Sequence, residues 1–554
     1  MSKKNLIGGL IVVTLMAMPL LAQDGPPPSN GNPRGQNNGD NRPGGRGQPF
    51  NPPATPEQTE QRLQEVINAL ALRPINTATI NTLPVEHAKV QLGKKLFFTK
   101  NLGGEQDAAC VSCHHPSLGG GDNLSLSVGI NAIDMLSNAA HDLLGIGRFN
   151  GIDTNDDYNL PVVPRNAPSI FNVALFQRGL FWDSRVERVR DNRIVTPDSP
   201  LNEQGRRLPD PNLSADTTLA AAQARFPVTS VEEMRGEFAS GEDNQTLRNS
   251  LSDRLSNQLE NIAAQWPSEF ALAYGDDSVT PDRIFDAIGE YERAMVFVNS
   301  PWNNYLAGNS NALTDQQKIG ATLFFTPPNQ GGAGCVNCHS GDNFSDERHH
   351  LTAFPQIGVG KGNTSSTQTS QDFGRENVTG DTADRFHFRT PSLLNVEVTA
   401  PYGHSGAYQT LEEVIDHYNN PDRAINQLFG AQGNVPFVNG IAPYCRLPQI
   451  NALLIKNNQN CEDVFADAYQ NSKDIAQYLQ QAINNQIPAR APLRIRPNLN
   501  GEQVSAIAAF LRALTDPCVK DRECLSPWIV EQQDQANFPD DKPVIAVDQQ
   551  GDLL

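Results

Sequence analysis

The sequence predicts a mainly α-helical protein in which one structural unit occurs twice, interrupted by long loop insertions. Three observations lead there. A five-residue pattern recurs, as Cys110-Val111-Ser112-Cys113-His114 and as Cys335-Val336-Asn337-Cys338-His339. Each copy follows the same run, Leu96-Phe97-Phe98-Thr99 in one case and Leu323-Phe324-Phe325-Thr326 in the other, with Gly-rich residues between. Well after each copy, apolar residues return at helical spacing: Ile284, Ile288, Tyr291 and Met295, then Val504, Ile507, Phe510, Leu511 and Leu514.

The repeated pattern carries chemistry. Two thiols three residues apart can add to the two vinyl groups of one haem, and the His that follows is placed to bind the iron axially. Cys-x-x-Cys alone also suits zinc or redox work, but two copies in matched surroundings favour two covalent c-type haems. The helices fall in order around them. A stretch from Pro56 to Leu72, with Leu63, Val66, Ile67 and Leu70 on one stripe, is expected to pack on the first unit. Val85 to Phe98 leads into the first motif and Pro281 to Val296 returns after it. Thr314, with Gln317 three residues on, caps a helix through Phe325, and Gly501 to Leu514 returns after the second motif. Small cytochrome c domains are built this way, so the expected fold is two cytochrome c-like haem domains. Their bounds are 56–299 and 300–527, divided at the turn Asn299-Ser300-Pro301, with 528–554 as a tail. Residues 131–163 and 191–219 are rich in Asn, Asp and Pro without strong periodicity, and read as loop insertions.

The ends and the composition bound the setting. Lys3-Lys4, an apolar run from Leu6 to Leu21, and Ala22-Gln23 have the order of a secretory signal, so residues 1–22 are expected to direct export to the periplasm. A retained anchor is the alternative, although the run is short for a span. Residues 23–55, mostly Gly, Pro, Asn and Gln, read as a disordered tether. A net charge of -19 argues against nucleic acid as a partner. Of eight Cys, four belong to the haem motifs; the other four suit two disulfides in an oxidising compartment, most simply Cys445–Cys461 and Cys518–Cys524.

Beyond the haem motifs the chain resembles the bacterial di-haem cytochrome c peroxidase and MauG family over about residues 84–516. The resemblance rests on Leu92-Gly93-Lys94-Lys95-Leu96-Phe97-Phe98, Arg165-Asn166-Ala167-Pro168-Ser169, Phe181-Trp182-Asp183-Ser184-Arg185, Thr390-Pro391-Ser392-Leu393-Leu394-Asn395 and Thr399-Ala400-Pro401-Tyr402-Gly403-His404-Ser405-Gly406. It implies that peroxide reacts at the first haem, bound through Cys110, Cys113 and His114, while the second, bound through Cys335, Cys338 and His339, relays electrons. Family members often close the first iron with a distal His. The matching stretch here, Ser127-Val128-Gly129-Ile130-Asn131, has none, which predicts an open first haem unless His141 reaches it. The segment Gln223 to Met234 is similar to the family's distal segment and makes Glu233 the acid–base residue, with Gln223 its neighbour and Glu232 the rival if the register slips.

At the second haem the family's axial Met position is occupied by Tyr418, as in MauG, with the adjacent His417 as rival ligand. Phenolate ligation favours oxidised iron, which tilts the expectation toward withdrawal of electrons from a protein substrate. Trp182 matches the residue that bridges the haems. Asn166, Thr399 and Pro401 match the ligands of a calcium ion, an oxygen set suited to a hard cation. The implied function is a periplasmic di-haem peroxidase that consumes hydrogen peroxide, with electrons from a small cytochrome or cupredoxin or from a protein substrate. A non-catalytic electron carrier and an oxygenase acting on an organic substrate are the alternatives.

Overall fold

In a computed structural model of the chain, the residues described are 55–554 except 135–140, 257–264, 363–368, 431–441 and 495–496, and all belong to one unit, Gly47–Leu554. The expected signal, residues 1–22, and the expected tether, residues 23–55, lie outside them except for Thr55, which caps α1. Fifteen helices are described. α1 (Pro56–Leu70), α2 (Ala88–Phe98), α3 (Leu219–Ala224), α4 (Asn244–Leu255), α5 (Trp266–Tyr274), α6 (Pro281–Ala294), α7 (Pro301–Leu306) and α8 (Asp315–Phe325) come first. α9 (Glu376–Thr379), α10 (Leu411–Asn419), α11 (Pro421–Leu428), α12 (Pro448–Asn457), α13 (Ala468–Ile483), α14 (Gly501–Arg512) and α15 (Arg522–Leu525) follow.

Two helix crossings organise the unit. α2 crosses α6 and α8 crosses α14, and at each the repeated sequence places a glycine against the partner's backbone. A Cβ on Gly93 would stand 1.9 Å from the Ala287 carbonyl oxygen, and one on Gly320 would stand 1.8 Å from that of Ala506. Only a bare Cα allows so close an approach. Around the first crossing Leu92, Leu96, Phe97, Ile284, Ile288 and Tyr291 form an apolar core; around the second the equivalents are Leu323, Phe324, Phe325, Ile507, Phe510 and Leu511. Cys110 packs against the first core and Cys335 against the second. Thr314 and Gln317 form the reciprocal cap anticipated for α8, each side chain accepting the other's backbone N–H.

The two ends of the described chain cross over. α1 packs on the second core and not on the first: Leu63 and Ile67 join it, and Glu60 pairs with Lys318 of α8 at 2.8 Å. The apolar stripe on α1 defines a buried face but says nothing about which partner covers it, hence the wrong expectation. Conversely, residues expected as a tail join the first core through Ile529, Val530, Val544 and Ile545, and Asp540 accepts from Thr99 and Trp266 at 2.8 Å each.

The insertions are not bare loops. The first contains β1 (Ala132–Asp134), β2 (Asp142–Leu143), β3 (Arg148–Ile152) and β4 (Tyr158–Asn159); β1, β3 and β4 form an antiparallel sheet. Between the two insertions and into the second run β5 (Gly179–Leu180), β6 (Val186–Arg188) and β7 (Ile194–Val195), again antiparallel. β8 (His349–His350) pairs with β9 (Phe388–Arg389), and β10 (Ala546–Val547) runs parallel to β2. Strands of two to five residues are too short for a periodicity to register in the sequence. Both expected disulfides, Cys445–Cys461 and Cys518–Cys524, are present. Among the described residues no helix is long and apolar enough to cross a membrane.

Candidate functional site

The segments Arg165–Ser169, Phe181–Arg185, Phe388–Leu394 and Thr399–His404 converge on a cavity of about 590 Å³. A buried ion-pair knot holds them. Arg165 gives two hydrogen bonds to Asp372, at 2.5 and 2.8 Å, and a third to Asp183 at 2.7 Å. Burial alone would raise the Asp183 carboxyl, but Arg165 and Arg185 outweigh it and hold the group well below the usual carboxylate range. Removing Arg165 would leave buried Asp372 without its cation and Asp183 with Arg185 alone.

Both Cys-x-x-Cys-His motifs open on this cavity: Cys110, Cys113 and His114 line it, as do Cys335, Cys338 and His339. These residues fit two covalent haems. The four thiols are free, whereas the other four Cys are paired. Burial pushes Cys113 and Cys335 up to about 12, and Cys110 higher still. Surroundings that disfavour thiolate suit an uncharged thioether better than a zinc ligand or a reactive thiol. His114 Nδ1 lies 3.1 Å from the Gly120 carbonyl and His339 Nδ1 lies 2.9 Å from that of Phe344. A carbonyl accepts only, so Nδ1 carries the proton and Nε2 is the nitrogen left for iron. Burial lowers both imidazoles, His339 to about 4, which keeps them in the neutral form that ligates. Arg185, Lys361, Arg389 and Arg494 in the lining could pair with haem propionates.

Glu233 and Gln223 also line the cavity. Glu233 sits on a single turn of π-helix, Val231–Arg235, a geometry often found at functional sites. The loop after the first motif packs onto that turn: a Cβ at Gly129 would meet the Glu232 carbonyl oxygen at 2.2 Å and that of Glu233 at 2.5 Å. No side chain fits at that position, so a distal His could not stand at Gly129. Burial raises the Glu233 carboxyl, and neighbouring Glu232 adds to the rise, while Arg185, Lys361 and Arg165 oppose it. Glu233 in turn acts electrostatically on Cys110 and Cys113. Its rival Glu232 is exposed and does not line the cavity, and neither does His141.

At the other motif Tyr418 of α10 lines the cavity, its phenol kept neutral by burial and by the Cys338 and Cys335 sulfurs. The latter influence disappears once those sulfurs are thioethers. His417 is turned elsewhere: Nδ1 lies 2.8 Å from the Tyr408 hydroxyl and Nε2 lies 2.9 Å from the Thr352 carbonyl, so neither nitrogen is left for a metal. Trp182 lines the cavity and donates from Nε1 to the Asn166 carbonyl at 2.9 Å. Asn166, Thr399 and Pro401 line it too, and Asn166 Nδ2 donates to Leu124. Among the described residues Asn166 Oδ1 and the Thr399 and Pro401 carbonyls accept no hydrogen bond, a free oxygen set of the kind calcium takes.

Sequence reasoning missed some of the lining. Glu292 reaches the cavity from α6 and is raised by burial to about 8. It stands four residues after Ile288 on the apolar stripe, so a charge at a core position was the available signal. Lys361, and Asp372 of the ion-pair knot, come from a loop that carries no pattern.

The chain is similar in sequence to known proteins of one family. A model of the family described as di-haem cytochrome c peroxidase matches residues 87–311. A cytochrome-c peroxidase, IdrP2, of Denitromonas iodatirespirans is 27% identical over 346 residues, covering 60% of this chain and 73% of that one. The methylamine utilization protein MauG of Methylorubrum extorquens is 26% identical over 368 residues, covering 66% of this chain and 78% of its own. Among solved structures, a MauG-like protein associated with microbial copper homeostasis is similar with a TM-score of 0.46 at 20% identity, over 82% of this chain and 96% of that one. The chain is therefore a relative of the di-haem cytochrome c peroxidases. MauG stands among its relatives, as the sequence motifs indicate.

Proposed function

We propose that the protein is an exported di-haem oxidoreductase that reduces hydrogen peroxide at a haem held by Cys110, Cys113 and His114, drawing electrons through a second haem held by Cys335, Cys338, His339 and Tyr418. The observation that carries the reading is the shared cavity, in which Glu233 and Gln223 accompany the first motif and Tyr418 the second. The bound haems supply the two electrons that, with two protons, turn one peroxide into two waters. Glu233 accepts a proton from one peroxide oxygen and returns it to the other, while the Gln223 amide orients the molecule by hydrogen bonding. Trp182, lining the cavity with both motifs, is the stepping stone between them, and calcium at Asn166, Thr399 and Pro401 fixes the Trp182 partner Asn166.

Each cytochrome c-like half is built on one helix crossing. The two disulfides support an oxidising compartment, in keeping with export to the periplasm by residues 1–22. Tyr418 in place of Met favours a MauG-like role in which a protein substrate is the reductant; a small cytochrome or cupredoxin donor is the second reading. The test is Glu233→Gln in the two-haem protein. Peroxide consumption falls roughly 10²–10⁴-fold with haem content unchanged. A non-catalytic electron carrier would show no peroxide consumption in the parent and no effect of the substitution.

A further inference from the structure

Behind the wall of the cavity, next to the second motif, a tyrosine and a histidine are paired in dry surroundings. Tyr408 is 2% exposed and His417 fully buried, and neither lines the cavity. The direction of their 2.8 Å hydrogen bond is fixed by the other side of the ring. His417 Nε2 lies 2.9 Å from the Thr352 carbonyl, which can only accept, so Nε2 carries the proton and Nδ1 offers its lone pair to the Tyr408 hydroxyl. Tyr408 therefore donates to a base.

Buried Tyr291 and Tyr444 instead donate to the backbone carbonyls of Trp528 and Val464, which cannot take up a proton. Buried Tyr305 also donates to a base, the Glu60 carboxylate, but that group is part exposed and already paired with Lys318. A phenol loses an electron readily only if its proton leaves at the same time, and in a dry core that requires a base already in place. A ring path joins this pair to Tyr418: the Phe354 ring lies 5.6 Å from Tyr418, 5.8 Å from Tyr408 and 4.5 Å from His417, centre to centre. Phe354 itself lines the cavity.

We propose that Tyr408 is a redox-active residue that supplies an electron to the second haem site, with His417 as its proton acceptor. The step conserves charge and atoms. The peroxide-oxidised second haem gains one electron, the Tyr408 O–H bond breaks, the proton passes to His417 Nδ1, and a neutral tyrosyl radical and a histidinium remain. Tyr408 then holds an oxidising equivalent inside the protein, one ring, Phe354, removed from Tyr418, where a slower external reductant can refill it. The proposal rests on the peroxidase reading for its oxidant.

The experiment is freeze-quench electron paramagnetic resonance of the two-haem protein, with peroxide in one arm and photogenerated ruthenium(III) tris-bipyridine as oxidant in the other. The expected result is an organic radical whose hyperfine pattern collapses with ring-deuterated tyrosine and which is lost in Tyr408→Phe, while the haem spectrum of that variant still responds to peroxide. His417→Gln, which removes the base, shortens the lifetime of the radical at least tenfold. A radical unchanged in Tyr408→Phe, or haems that respond to peroxide with no tyrosyl signal in either arm, overturns the proposal and leaves the peroxidase reading standing. A Tyr408 signal with ruthenium(III) but haems inert to peroxide supports the redox role and overturns the peroxidase reading instead.

Discussion

Burial holds the Tyr418 phenol neutral, whereas an axial ligand is most effective as phenolate, so binding iron must overcome the desolvation of the charge. Replacing Tyr418 with Phe leaves the position without a donor, and the ferric absorption and paramagnetic spectra of the second haem should change; identical spectra would remove Tyr418 from the ligand set. Glu233 carries a pH signature. Its carboxyl is raised by burial and must be ionised to act as base, so peroxide reactivity should fall as pH drops through a value above the usual carboxylate range. Glu233→Gln removes that limb of the profile. The haem Cys and His were legible because their chemistry fixes both residue type and spacing. The choice between Glu233 and Glu232, or between Tyr418 and His417, hangs on one residue of register, and only the π-turn and the α10 orientation decide it.

Among the elements, the two crossings follow from their sequences and the packing of the ends does not. Gly93 and Gly320 stand at equivalent places in the repeat, and a methyl at either would enter a backbone carbonyl. Gly320→Ala should destabilise the protein by about 2–4 kcal/mol, read as a lower melting temperature of the two-haem form, whereas alanine at Gly501, at the start of α14, has no such contact. α1 makes the opposite demonstration. Its stripe is legible, but the partner was assigned from chain proximity, and the true contact spans more than two hundred residues, as between Gln64 and Tyr305. Deleting residues 55–72 should therefore lower the reduction-linked and thermal stability of the second haem site before the first; an effect confined to the first site would contradict the packing. The small sheets of the insertions escaped notice because each strand gains its hydrogen bonds from tertiary neighbours and not from any local pattern.

For the molecule as a whole, two repeated units have diverged in what completes each iron site. The first packs a glycine of the following loop against the Glu233 turn and sets a raised carboxyl in the cavity beside its motif. The second adds a half-buried tyrosine from α10 and, behind it, a tyrosine–histidine pair. One cavity is lined by both motifs and by Trp182, the arrangement that the proposed joint action of the two irons requires. The central claim is that the first iron is open and works jointly with the second without prior reduction. Stopped-flow mixing of the fully oxidised two-haem protein with hydrogen peroxide, in the absence of reductant, measures this directly. The account predicts that the absorption of both haems changes at a rate proportional to peroxide; an oxidised protein that stays spectrally inert until one haem is reduced would contradict it.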